Sequence, residues 1–212
     1  MKHPIHLENR ELVCKRLVSP TSVRNCPPIG EQLKEILPIN ARVLEIASGT
    51  GQHGHHMCGL RPDIMWQPTD IDAESMESQA AYGLDYPEQM LKPLHLDVTV
   101  EKWWAELPEI NAIFCANMIH IAPWKAAEGL AKGAGVLLKD GGKMCLYGPF
   151  LAKKYNAESN LQFDINLKAR NPEWGVRSLD SVKHIFADNG LNLAAMIEMP
   201  RNNSLLIFGT DS

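Results

Sequence analysis

RVLEIASGTGQHG, residues 42–54, is the stretch that decides the fold. It opens with Val43-Leu44-Glu45-Ile46, a short apolar run of strand character. It passes through Ser48-Gly49-Thr50-Gly51 into a segment that can begin a helix, expected from Gly51 to Leu60. A strand, a glycine-rich turn and a helix start make a cradle for a nucleotide-type ligand. The glycines let backbone approach the ligand closely, and the helix start presents free N–H groups. The stretch therefore reads as the first βα turn of a doubly wound α/β sheet. An acidic residue, Glu45, stands ahead of its glycines.

Working outward, the preceding residues predict a helix over 27–37, with Ile29, Leu33, Ile36 and Leu37 at helical spacing and Pro27-Pro28 in its first turn. Residues 11–18 read as a short helix or a loose arm. After the turn, strands are expected at 64–69, 94–96, 110–116 and 143–147. Between them lie helices from Asp72 to Tyr82, over 101–106, and from Pro123 to Leu138, the last ended by Asp140-Gly141-Gly142. The alternation then breaks over 148–176, where a helix near 161–169 is expected. A helix from Ser178 or Asp180 to Asn189-Gly190 follows. Strands at 191–198 and 204–208 close the chain, joined by Pro200-Arg201-Asn202-Asn203 as a hairpin-type connection. This pattern predicts a seven-stranded, mostly parallel sheet with a C-terminal antiparallel β-hairpin. We read residues 1–212 as a single domain: an N-terminal arm and helix (1–40), a cofactor-binding half (41–147), a substrate lid (148–176), and a last helix with the hairpin (177–212).

Composition narrows the function classes. The 212 residues carry a formal net charge of −4 and no dense Lys/Arg run, which argues against nucleic acid as a partner. No apolar run is long enough to span a bilayer, and the first ten residues lack the apolar centre of a signal peptide. The expected compartment is cytoplasmic. The five cysteines are scattered, odd in number and without a Cys-x-x-Cys, so neither a disulfide framework nor a zinc site is expected. Cys115 and Cys145 read as small buried hydrophobes.

Three acidic residues at successive strand ends carry a resemblance. EIASGTG resembles motif I of class I methyltransferases, with Glu45 in the acidic position, Gly49 and Gly51 as the later glycines, and Ala47 replacing the first. TDID, ending the second strand at Asp70, and LDV at 96–98 resemble the two motifs that follow. The resemblance implies a Rossmann-like methyltransferase domain that binds S-adenosylmethionine through Glu45, Ala47, Gly49, Thr50, Gly51, Asp70, Ile71, Asp97, Val98 and Asn117. Asp70 would accept from the ribose hydroxyls and Asp97 from the adenine amino group, with the Val98 backbone at a ring nitrogen. Glu45 would lie near the methionine amino end. A carboxylate in the turn repels a pyrophosphate and suits a sulfonium, which favours this cofactor over a nicotinamide dinucleotide. RNCPPIGEQLKEILP, WQPTDID, PLHLDV, NMIHIAPW, GGKMCLYGPF, NPEWGVR and MPRNN together resemble the uncharacterised family whose animal members are called methyltransferase-like protein 26, over about residues 19–209. That family implies the fold and the cofactor, and no methyl acceptor.

Beyond the turn, His120 after the fourth strand is the general-base candidate, because a histidine titrates near neutrality. Its bland alternative is a histidine satisfying backbone groups at a helix start. Asp164 and Tyr147 are the other catalytic candidates. Asn160, Phe163, Arg170 and Trp174 suit a lid over a small-molecule substrate. Arg24 and Asn25, ahead of the first helix, can close over the cofactor carboxylate. His53, His55 and His56 do not form a metal-binding pattern, and no metal is expected. Trp66, Trp103 and Trp104 read as packing residues. The function expected is methyl transfer to a small molecule. The alternative is a non-catalytic cofactor-binding or protein-interaction module on the same fold.

Overall fold

The computed structural model describes residues 9–154 and 156–210. Residues 1–8, to which part of the signal-peptide reading belongs, lie outside the described residues. The fold is α/β, with a seven-stranded, mostly parallel sheet and an antiparallel C-terminal hairpin, as the sequence pattern predicts. Two compact units make up the chain, residues 1–97 and 98–212. No helix among the described residues is long and apolar enough to cross a membrane.

In the first unit a hairpin, β1 (Glu11–Val13) and β2 (Arg16–Val18), precedes helix α1 (Pro20–Ile36). The hairpin replaces the expected helix or loose arm at 11–18. Cys14 and Lys15 both have positive φ, the requirement of a two-residue primed turn, and neither residue type signals it. Helix α1 starts well before Pro27 because Ser19 caps it, accepting from the Ser22 N–H at 3.1 Å, with Pro20 in its first turn. Pro27 and Pro28 therefore sit inside the helix. Strand β3 (Arg42–Ile46) pairs in parallel with β4 (Met65–Asp70), and β4 with the short β5 (Leu94–His95). Helices α2 (Gln52–Leu60) and α3 (Ala73–Gly83) complete the unit. Leu33, Val43, Leu44, Ile46 and Trp66 are buried in its core.

In the second unit β6 (Ile110–Ala116) pairs in parallel with β7 (Leu138–Gly148). Strand β9 (Asn203–Gly209) runs antiparallel beside β7, and β8 (Asn192–Met199) beside β9. Helices α4 (Trp124–Leu137), α5 (Glu158–Arg170) and α6 (Leu179–Ala187) complete it. Residues 101–106 form turns instead of the expected helix, with Lys102 at φ 56° breaking any helical run. The expected turn at 140–142 is absorbed into β7. Register shifts there between the Ile110–Leu138 and Ala112–Lys143 pairs, with Gly141 at φ 81°. Phe186 of α6 stacks on Phe208 of β9 with centroids 4.4 Å apart.

Helix α4 fits closely because its small residues leave room for its neighbours. A Cβ on Gly129 would stand 2.0 Å from the Val98 carbonyl oxygen, a backbone atom that cannot swing aside. Overpacking of this kind costs roughly 1–3 kcal/mol. Gly129→Ala is therefore expected to lose about that much stability in urea denaturation, whereas Lys125→Ala, exposed on the same helix, stays within about 0.5 kcal/mol of the parent.

Candidate functional site

The turn after β3 is left-handed at three positions: Ala47 at φ 54°, Gly49 at φ 54° and Gly51 at φ 90°. Glycine accepts such angles freely, but an alanine there costs about 1–2 kcal/mol, so the surroundings must hold Ala47 in place. They do so with a dense set of hydrogen bonds. The Ser48 N–H donates to the Thr69 carbonyl at 2.8 Å, and the Thr69 N–H returns to the Ser48 hydroxyl at 3.0 Å. Gln79 Nε2 donates to the Gly49 carbonyl at 2.9 Å and Ser78 Oγ to the Thr50 carbonyl at 2.7 Å.

Asp70, the last residue of β4, is the centre of this arrangement. Its Oδ2 accepts the Gly49 N–H at 2.8 Å, and its Oδ1 accepts the N–H groups of Ile71 at 2.8 Å and Asp72 at 3.1 Å. Burial pushes its carboxyl pKa up, and the three donors oppose that shift. The side chain of Ile71 stands exposed beside it. Asp72 caps α3 by accepting the Ser75 N–H at 2.9 Å. Asp97, past β5, is half-buried.

Glu45 has a different setting from the one its motif position suggests. It is 2% exposed and accepts from Trp66 Nε1 at 2.8 Å. Burial pushes its pKa up to about 8, against hydrogen bonds from Trp66 and Ser48. The carboxyl is thus largely protonated at neutral pH. The expected argument from a fixed negative charge in the turn gives way to one from a buried neutral acid. Trp66 is a core residue, as expected, and its indole reaches Gly54 of α2, where a Cβ would lie 2.6 Å away.

The neighbouring histidines diverge. His53 is buried with Nδ1 at 3.4 Å from Cys26 Sγ, and burial lowers its pKa to about 4. His55 reaches Asp85 at 2.8 Å, and His56 turns its Nε2 toward Gly30. Among the described residues no group of three His, Cys, Asp or Glu is placed to hold a metal. Arg24 and Asn25 lie inside α1 and not ahead of it. Arg24 is exposed and donates to the Thr21 hydroxyl at 3.0 Å, while Asn25 is buried.

In the second unit the chain leaves β6 through Asn117, at φ 61°, whose N–H donates to the Tyr147 carbonyl at 2.8 Å. Its own carbonyl accepts the His120 N–H at 3.1 Å. His120 ends a 3₁₀ turn (Met118–His120) and is 0% exposed. Its Nδ1 accepts the Arg177 N–H at 3.3 Å, which places the ring proton on Nε2. Among the described residues Nε2 has no hydrogen-bond partner, and it is buried against Gly148, where a Cβ would come within 2.4 Å. Burial, then the charge of Arg177, push its pKa down to about 3. The ring is therefore a neutral donor, and the expected general-base role lacks the pKa it requires.

Asp164 and Tyr147 are likewise engaged. Asp164 accepts the Val176 N–H at 2.9 Å and pairs with Lys168 at 2.6 Å, and the buried Tyr147 hydroxyl accepts from Asn203 Nδ2 at 3.0 Å. Asn160 donates to the Asn202 carbonyl at 2.9 Å, tying α5 to the β8–β9 connection. The organiser that sequence reasoning missed is Arg177. Its guanidinium donates to the carbonyls of Ile119, Ala122 and Glu173 at 2.7–2.8 Å and lies 5.5 Å above the Trp124 ring. Nothing in Gly175-Val176-Arg177 signals that role.

A family model described as "Protein of unknown function (DUF938)" matches residues 16–210. Among solved structures, an O-methyltransferase family 2 protein from Planctomyces limnophilus in complex with apigenin is 16% identical, with a TM-score of 0.75 over 90% of this chain and 58% of its own. An O-methyltransferase family protein from Burkholderia thailandensis is 14% identical, with a TM-score of 0.74 over 87% of this chain and 56% of its own. Human N-acetylserotonin methyltransferase in complex with SAM is 13% identical, with a TM-score of 0.70 over 86% and 52%. The chain spans just over half the length of these structures. At such identities the likeness is one of fold.

The Glu45 setting has a measurable consequence. Its folded pKa, about 8, lies above the value near 4.3 of an unperturbed glutamate. Its contribution is therefore fully present below the unfolded value and is lost as pH rises through about 8. The stability of the parent relative to Glu45→Gln is expected to fall steadily from pH 5 to pH 9 in denaturant titrations. A difference that stays constant across that range would show that the carboxyl is ionised throughout.

Proposed function

We propose, from the premise that the chain belongs to the DUF938 family and carries a methyltransferase fold, that it is an S-adenosylmethionine-dependent methyltransferase acting on a small-molecule acceptor. The observation that carries this reading is the Asp70 carboxylate, oriented by three backbone N–H groups beside a glycine-rich left-handed turn. The turn lies beyond the carboxyl ends of β3 and β4, where open α/β sheets take their ligands. An oriented carboxylate suits a ribose diol, and the exposed Ile71 next to it suits the face of an adenine ring. Gly49 and Gly51 supply the left-handed backbone, and Gly51 also lets the turn approach Gln79 of α3, with Ala47 and Thr50 completing the turn. Asp97 is proposed for the adenine amino group. The roles of Val98 and Asn117 rest on their motif positions, as does the likeness to methyltransferase-like protein 26. The single catalytic domain and the cytoplasmic location belong to the same proposal.

Bound there, the cofactor would supply the electrophilic methyl group. The residues of this chain would contribute binding and orientation. Glu45 shapes the floor of the turn from within the core. His120, neutral and carrying its proton on Nε2, serves better as a donor than as a base.

A second reading, a non-catalytic cofactor-binding module, is favoured by one set of observations. His120, Asp164 and Tyr147, the catalytic candidates, are all engaged in bonds within their own unit. Transfer of labelled methyl groups from S-adenosylmethionine into a pool of small metabolites separates the two readings: turnover supports the enzyme, and binding without turnover supports the module.

Calorimetry with S-adenosylhomocysteine tests the site itself. The folded protein is expected to bind it, and Asp70→Ala to weaken binding roughly 10- to 100-fold, the worth of hydrogen bonds to a charged group. A well-folded parent that does not bind would sink the proposal. An Asp70→Ala variant that binds equally well would remove Asp70 from the ribose.

A further inference from the structure

The arm formed by residues 9–19 is built onto the glycine-rich turn rather than merely lying near it. Arg16 grips Asp85 with both arms of its guanidinium, at 2.7 and 2.8 Å, and also donates to the Ala81 carbonyl at the end of α3. The Leu17 N–H donates to Ser78 Oγ at 2.7 Å, and that hydroxyl donates onward to the Thr50 carbonyl of the turn at 2.7 Å. The Ser19 N–H donates to Gln52 Oε1 at 2.7 Å, where the turn enters α2. These anchors fix the path of the arm, and at its start they place one cation. The guanidinium of Arg10 donates through Nη1 to Ser75 Oγ at 3.1 Å. Its Nη2 lies against Gly49, at 3.4 Å from where a Cβ would stand. Arg10 itself is half-buried.

Asp70 and Asp72 give the turn its acidic side chains, and Glu45 beneath it is held largely neutral by burial. S-adenosylmethionine has a cationic sulfonium, an ammonium and one anionic group, the carboxylate of its amino-acid end. A planar guanidinium matches a carboxylate with two parallel hydrogen bonds. Arg24, the expected partner of that carboxylate, is instead an exposed side chain on α1 held to Thr21.

We infer that Arg10 is a cofactor-binding residue: its guanidinium, held over the turn by the β1–β2 arm, pairs with the carboxylate of the cofactor's amino-acid end. This rests on the reading of the turn as an S-adenosylmethionine site. The pairing is pre-organised, because the hairpin and Ser75 hold the guanidinium at the turn before any ligand arrives. It also gives the arm a function: it adds to a turn of acidic character the one cation that a zwitterionic ligand needs.

The test compares two ligands that share the thioadenosine part. S-adenosylhomocysteine carries the carboxylate, and 5′-methylthioadenosine does not. Both are titrated calorimetrically into the parent, Arg10→Ala and Arg10→Gln. The glutamine keeps a donor for Ser75 without the charge and remains informative if the alanine variant folds poorly. The expected result is a loss of roughly 10- to 100-fold in affinity for S-adenosylhomocysteine in both variants, with affinity for 5′-methylthioadenosine unchanged. An equal loss for both ligands would overturn the inference, because it would mean that Arg10 supports the turn and does not touch the carboxylate. Unchanged affinity for S-adenosylhomocysteine would overturn it as well. A parent that binds neither ligand would instead overturn the reading of the turn, and this inference with it.

Discussion

One carboxylate holds the first unit's turn together. Asp70 ends β4 and gathers three backbone N–H groups, one from the turn after β3 and two from the start of its own loop. Charge-assisted bonds of this kind are about twice as strong as neutral ones. They are needed because the turn carries left-handed backbone at Ala47, Gly49 and Gly51, and only the glycines take it without strain. The strained alanine persists because Ser48, Thr69, Ser78 and Gln79 determine the same path from the other side. The path of the turn is thus fixed by the protein's own hydrogen bonds.

A second constraint is the handling of buried ionisable groups. Burial holds such groups in their neutral form in both units. In the first unit Glu45 is held largely protonated beside the Trp66 indole. In the second, His120 gives its Nδ1 to a backbone N–H and presses its Nε2 against Gly148, the one residue type whose missing Cβ makes that approach possible. Both residues look like chemistry in the sequence, since a motif acid and a histidine after a strand are the usual signs. Their surroundings decide otherwise, because in a low-dielectric interior the neutral form of each is favoured.

The legibility of the sequence follows the range of the forces involved. Strand β6 was readable to the residue because its apolar run is bounded and local, and α3 because Asp72 is a strong cap. The terminal hairpin was readable from its turn residues. The β1–β2 hairpin was not, because a Cys-Lys pair carries no signal for positive φ and the hairpin is held by Arg16 to Asp85, far along the chain. The start of α1 was misplaced because Pro27-Pro28 resembles a first turn, whereas Ser19 and Pro20 supply the real one. In the candidate site, residue types and order were visible at Glu45 and Asp70. The protonation of Glu45 and the reach of Arg10 and Arg177 were not, since these depend on burial and on partners 58 or 65 residues away.

The chemistry open to the second unit is limited by what its polar groups already do. Burial and the charge of Arg177 hold His120 neutral and make it a weak base, Asp164 is occupied by Val176 and Lys168, and the Tyr147 hydroxyl is held by Asn203. In the methyltransferase reading these groups do not activate an acceptor. Methyl transfer is an in-line displacement that can proceed on positioning alone when the acceptor already presents a lone pair at neutral pH.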